Sequence, residues 1–223
     1  DIVTQENIDI AVVPLMEANG ILSFIGNSDV YDYMDFPVLD GYESVFYERV
    51  ADLIKSYDWQ EVKFESIHQD SPTLELLPKY FDSEHFDVSI LQSDCTPLIE
   101  LPGDWEEYFS TLRKKDRHEL RRKIRRLEAN HSFNQFRCDI TQESLENDMN
   151  DFFELMSLSS EDKGEFLTET NKSFFIELAR TFSSKDLFKL YFLEIDDQKV
   201  AACICFYFGD QVLLYNSGYN PEF

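Results

Sequence analysis

Apolar positions along this chain recur with two periods, near two and near 3.6 residues, and the switches between them outline the elements. Ile21-Leu22-Ser23-Phe24-Ile25-Gly26 reads as a strand, followed by a polar turn and the aromatic segment Tyr31 to Phe36. Val45, Phe46, Val50, Leu53 and Ile54 are spaced as one helical face, which predicts a helix over residues 42–57. Glu61 to Ile67 alternates like a half-buried strand, and Ser71-Pro72-Thr73-Leu74 opens a helix that runs to about Phe81. Residues 87–101 read as extended chain ending at Pro102-Gly103. The expected organisation is two halves, 1–103 and 104–223, with no flexible linker, because Gly and Pro number only seven each.

The second half opens on Asp104 as N-cap with Glu107 three residues on, and Trp105, Tyr108, Phe109 and Leu112 form one face. The next apolar positions are Leu120, Ile124 and Leu127. The stripe breaks between Leu112 and Leu120, which predicts two helices or a bent one. A short strand is expected over 133–140. Two amphipathic helices follow, one bearing Leu145, Met149, Phe152, Phe153 and Met156, the other Phe174, Phe175, Leu178 and Phe182. Three strands close the chain, 187–195, 200–208 and 211–216, with turns at Asp196-Asp197 and Gly209-Asp210. The middle one is almost wholly apolar, as suits a central strand covered on both faces. The fold class is mixed α/β.

Charge sharpens this picture. The net charge is −24, yet residues 113–126 hold nine of the twenty Lys and Arg against two acids, a local +7 that leaves −31 elsewhere. The acidic balance disfavours DNA and membrane surfaces, since the long-range field repels phosphates. The basic stretch is where an anion could be held. Within it Lys114, Arg117, Arg121 and Arg125 recur opposite Leu120, Ile124 and Leu127. No run reaches the length of a membrane span, and Asp1 to Gln5 lacks a basic segment leading into an apolar one, so a cytoplasmic protein is expected. The first residue is not Met, which implies a trimmed or partial N-terminus. Cys95, Cys138, Cys203 and Cys205 are too few for a disulfide framework and read as reduced core thiols. With only four scattered histidines no metal pattern forms.

Asp104 to Tyr108 and Arg117 to Glu128, together with Leu190 to Glu194, Ala201-Ala202 and Tyr215-Asn216-Ser217-Gly218-Tyr219-Asn220-Pro221-Glu222-Phe223, resemble the GNAT-superfamily acyltransferases of the FemAB-like and cellulose-biosynthesis-type acetyltransferase group. Phe24-Ile25-Gly26 with Asp32-Tyr33 resembles the N-terminal segment of that group. The resemblance implies two GNAT-like halves around twisted sheets, and transfer of an acyl group from a thioester, commonly acetyl-CoA, to an amine. In the FemAB branch the donor is aminoacyl-tRNA. It further implies that a splayed strand pair takes the pantetheine arm and that a helix N-terminus takes the pyrophosphate. The chain ends at Phe223, before the Ser-Pro-Gly-like turn and donor-phosphate helix of the family. The second half is therefore expected to be C-terminally incomplete, with a weakly active or inactive donor site and an open sheet edge at 211–216.

On these grounds the donor-binding candidates are Tyr215, Asn216, Gly218 and Tyr219. The anion-contact candidates are Arg117, Arg121, Arg122 and Arg125, whose planar paired donors suit phosphate or carboxylate. Asp32 and Tyr33 are candidates for the border of an acceptor pocket, against the reading of a structural turn. Lys163, placed in a loop between two helices, resembles a family loop. No spacing selects a general base, and no Ser/His/Asp arrangement supports a covalent route. Three functions stay open: an acetyl-CoA-dependent N-acyltransferase acting on a small-molecule, sugar or cell-envelope precursor amine; an aminoacyl-tRNA-dependent transferase; and a non-catalytic interaction domain on the same fold.

Overall fold

Two apolar cores form, one on each side of the Glu100–Leu101 junction, and the chain divides there into units Asp1–Glu100 and Leu101–Phe223. The computed structural model describes residues 1–26, 30–138 and 143–223. The polar turn expected after Gly26 and the last two residues of the strand expected over 133–140 lie outside the described residues.

The first unit begins with four strands, of which the sequence pattern revealed the one at residues 21–24 and not the three before it. β1 (Ile2–Gln5) and β2 (Ile8–Val12) pair antiparallel, as do β3 (Leu15–Ala18) and β4 (Ile21–Phe24). Their turns, Glu6-Asn7 and Asn19-Gly20, all have positive φ, the conformation that twists a two-residue hairpin correctly. β5 (Glu61–Lys63) adds parallel to β4. A parallel neighbour requires a crossover, and α1 (Glu43–Ser56) lies in that connection, burying Phe46, Tyr47, Val50, Ala51 and Ile54. α2 (Pro72–Leu76) starts as the sequence predicts: Ser71 Oγ accepts from the Thr73 amide, and Pro72 occupies the first turn, where its missing N–H costs nothing. A 3₁₀ turn, Leu77–Tyr80, continues it.

Asp35 ties this unit's loop to α2. Its carboxylate accepts from Ser71 Oγ, from Thr73 Oγ1 at 2.5 Å and from the Phe36 amide at 2.8 Å. Thr73 has spent its one proton on Asp35, so the buried Tyr47 hydroxyl donates to Thr73 Oγ1, 2.7 Å away. Burial, with Asp35 and Glu43 nearby, raises the Tyr47 phenol above its ordinary range. Residues 87–101 form no ladder and are exposed throughout, Leu91 and Leu98 by more than four-fifths.

In the second unit a four-stranded antiparallel sheet runs in the order β6 (Phe133–Cys138), β7 (Phe188–Ile195), β8 (Gln198–Phe208), β9 (Gln211–Tyr219). The apolar run is the central β8, as its pattern predicts. Its Ala202 and Ile204 join Leu190 and Phe192 of β7 in a core closed by α5 (Leu145–Ser159) and α7 (Glu169–Ser183). The expected double cover is uneven: Ala201, Cys203 and Tyr207, on the face turned from that core, are only half-buried. Lys199 secures the α5 side, with Nζ 2.5 Å from Asp151 Oδ2 and 4.2 Å from the Phe192 ring centre. The expected interhelical loop is instead α6 (Glu161–Phe166), a six-residue helix capped by Ser160 Oγ on the Lys163 amide. No helix among the described residues is long and apolar enough to cross a membrane.

Replacing Asp35 by Ala removes the acceptor from three donors, one on the buried Thr73. Stability of the first unit should fall by about 2 kcal/mol, read as a lower urea midpoint at unchanged slope.

Candidate functional site

β9 is an edge strand with a built-in irregularity. Its pairing with β8 steps from Ile204↔Asn216 to Cys205↔Leu214, leaving Tyr215 as the extra residue of a bulge. Bulges bend an edge and re-aim its side chains. The Tyr215 ring turns into the core, 5.3 Å from Phe206 and 6.0 Å from Phe175 between ring centres, so this donor candidate packs. Gly218 is present for space. A Cβ there would lie 2.3 Å from the Met156 nitrogen and 2.5 Å from the Leu155 carbonyl carbon, which is backbone of α5 and unable to yield. Tyr219 is about half exposed.

Around Ser217, a residue of the Tyr215 to Phe223 motif outside the candidate set, two of the candidates meet, Asn216 and Lys163. The Asn220 amide bonds to the Val200 carbonyl, and Ala202 faces Gly218 in the register. By the alternation of an antiparallel ladder, Ser217 is then a non-bonded position whose N–H and C=O turn away from β8. The Ser217 N–H donates to Asn216 Oδ1 at 2.8 Å, and its C=O accepts from Lys163 Nζ at 2.5 Å. Local chemistry positions Lys163: Ser160 caps α6, and Glu161 and Asp162 suit its first turn. Burial lowers the Lys163 ammonium pKa below the ordinary lysine range. Nothing in the sequence spacing links residue 163 to 217; only the fold joins them.

The basic segment forms α4 (Lys114–Asn130), preceded by α3 (Trp105–Thr111), with an extended break at Leu112-Arg113 where the apolar stripe lapses. Asp104 caps α3 through the Glu107 amide at 2.8 Å, as the sequence predicts. α4 buries no residue. Its arginines serve the protein first. Arg117 donates to the Phe109 and Ser110 carbonyls at the open end of α3, each 3.3 Å away. Arg121 pairs with Glu106 at 2.7 Å and stacks over Phe109. Arg122 holds Glu119 through two nitrogens, which lowers the Glu119 carboxyl. Arg125 Nε donates to the Arg121 carbonyl. The exposed Lys and Arg of α4 with no ion pair among the described residues are Lys114, Lys115, Lys123, Arg125 and Arg126.

Asp32 and Tyr33 belong to the first unit, both exposed, with the Tyr33 ring edge-on to His68 at 5.4 Å. In the second unit Cys203 and Cys205 share a face of β8, as their spacing predicts. The Cys205 thiol donates to Cys203, whose pKa falls to about 7, while the same bond and burial push Cys205 up. Among the described residues no group of three or more His, Cys, Asp or Glu is placed to hold a metal ion.

Residues 114–223, just under half of the chain, match the family model described as an acetyltransferase (GNAT) domain. The match supports the GNAT superfamily for this segment, and acyl transfer as its general chemistry. No curated protein matches the sequence.

Two outcomes follow from this geometry. Gly218→Ala forces a methyl into the α5 backbone and should lower stability by roughly 3 kcal/mol, measured by thermal unfolding. The thiolate is the reactive form, and it gains population as pH rises through the pKa. Cys203 should therefore alkylate with a midpoint near pH 7, and Cys205→Ala should move that midpoint upward, followed by peptide mass spectrometry.

Proposed function

We propose that the unit Leu101–Phe223 carries the donor face of an acyl-CoA-dependent N-acyltransferase, acetyl-CoA being the donor and the amino group of a small-molecule or cell-envelope precursor the acceptor. The observation that supports it most is the bulged β9 edge, pressed against α5 at Gly218 and presenting the Ser217 peptide outward, within the segment that matches an acetyltransferase domain. An outward N–H and C=O on an edge strand are what an amide-bearing arm can add to as though it were a further strand. The chemistry is attack of a neutral amine on the thioester carbonyl. A C–N bond forms, the C–S bond breaks, and the amine proton leaves with or through the departing thiolate. Backbone N–H groups aimed at the carbonyl oxygen would favour that step.

The anion reading of α4 rests on those of its cations that stay exposed and free of ion pairs. With Arg117, Arg121 and Arg122 engaged inside the protein, contact with a polyanion falls to Lys114, Lys115, Lys123, Arg125 and Arg126. That exposed cationic row favours the second reading, an aminoacyl-tRNA donor as in FemAB-like transferases.

Calorimetry separates the two. Acetyl-CoA should bind the protein in the micromolar to millimolar range, and no heat at millimolar ligand would contradict the first reading. Under the second, aminoacyl-tRNA binds with a steep salt dependence, and Lys115→Ala with Arg126→Ala should flatten the slope of log K against log salt by about two. An unchanged slope removes it.

A further inference from the structure

We infer that Lys163 and Asn216 form a side-chain latch over the Ser217 peptide, which an acyl donor must displace to lie along β9. The inference rests on the donor reading above. Its geometric basis is independent of that reading. Ser217 is half-buried, and a peptide group in that setting needs partners for both its N–H and its C=O. On an edge strand those partners are commonly water or an incoming chain. Here both come from the protein's own side chains, Asn216 Oδ1 on the N–H at 2.8 Å and Lys163 Nζ on the C=O at 2.5 Å. The two arrive from different elements, Asn216 from the bulged stretch of β9 and Lys163 from the short helix α6.

Position distinguishes a latch from ordinary packing. The bonds end on the outward peptide groups, the same two that an added amide chain would use. One partner is a long flexible side chain, the other a short amide on the adjacent residue. Neither hydrogen bond belongs to the β8–β9 ladder. Lys163 and Asn216 thus control how readily the edge accepts a donor, as positioning residues acting through the Ser217 backbone. The direction of their effect is diagnostic. Deleting a cation near an anionic ligand such as CoA weakens binding by charge alone, whereas removing a competitor for Ser217 O strengthens it.

The test uses the full chain, coenzyme A as probe, and the variants Lys163→Met, Lys163→Arg and Asn216→Ala. Without ligand, Asn216→Ala should speed hydrogen exchange at the Ser217 amide by about tenfold, the loss of one modest hydrogen bond, with β7 unchanged. With CoA, Lys163→Met should bind about three- to tenfold tighter than wild type, and Lys163→Arg, which restores a donor to the carbonyl, should return to the wild-type value. Unchanged exchange at Ser217 overturns the latch. So does CoA binding in Lys163→Met that is equal to or weaker than in wild type. If exchange accelerates but neither wild type nor any variant takes up CoA, the acyl-CoA reading is what fails and competition with it falls, while the side-chain cover itself stands.

Discussion

The approach of Gly218 to the backbone of α5 is the constraint on which the rest of the second unit depends. A helix can meet a strand at that distance only where the strand offers no Cβ, and β9 offers none at residue 218. That contact fixes the depth of α5 over β8 and β9. The apolar face of α5, from Leu145 to Met156, then reaches Ala202, Ile204 and Phe192 and closes the core. It also pins the C-terminal part of β9 in place. The bulge at Tyr215 takes up the misfit between a strand held against the helix at Gly218 and one whose Leu213 and Val212 must still pair with Phe206 and Tyr207 of β8. The open edge with its outward Ser217 peptide is a consequence of these two packing facts.

Electrostatics plays a different part from the one the charge pattern suggests. A local +7 in a chain of net −24 invites an anion, yet Arg117 and Arg121 bind α3. Arg117 satisfies carbonyls that α3 cannot satisfy itself, and Arg121 adds an ion pair and a ring contact. A short helix such as α3, seven residues long, gains from outside partners because it has few hydrogen bonds of its own. The exposed Arg121–Glu106 ion pair is worth little by itself, about 0.2–1 kcal/mol. Together with the Arg117 hydrogen bonds, its value lies in fixing the angle across the Leu112-Arg113 break.

Periodicity made much of the fold legible. The helices at 43–56, 145–159 and 169–183, the two-helix break at Leu112, the Asp104 cap and the central position of β8 all follow from apolar spacing or capping residues. The first twenty residues were not legible that way. Strands of four or five residues, half of whose side chains face water, carry too few apolar positions to show a period. Their signal lies in the turns Glu6-Asn7 and Asn19-Gly20. α6 was hidden because six residues cannot show a helical repeat, although Ser160 followed by Glu161 and Asp162 is a capping signal. At the candidate site, Gly218 was singled out as a donor-binding candidate, while its contact with the backbone of α5 was not legible. The Lys163–Ser217 and Arg121–Glu106 pairings join residues 54 and 15 apart, and no local pattern specifies either.

Under the proposed function, the β9 edge at Ser217 receives the acyl donor. Amide chemical shifts of the labelled protein, followed as CoA is added, test it most directly. The Ser217 and Tyr219 amides should move first and saturate together, with Lys163 following. Shifts confined to α4, or spread over the surface without saturation, would contradict it.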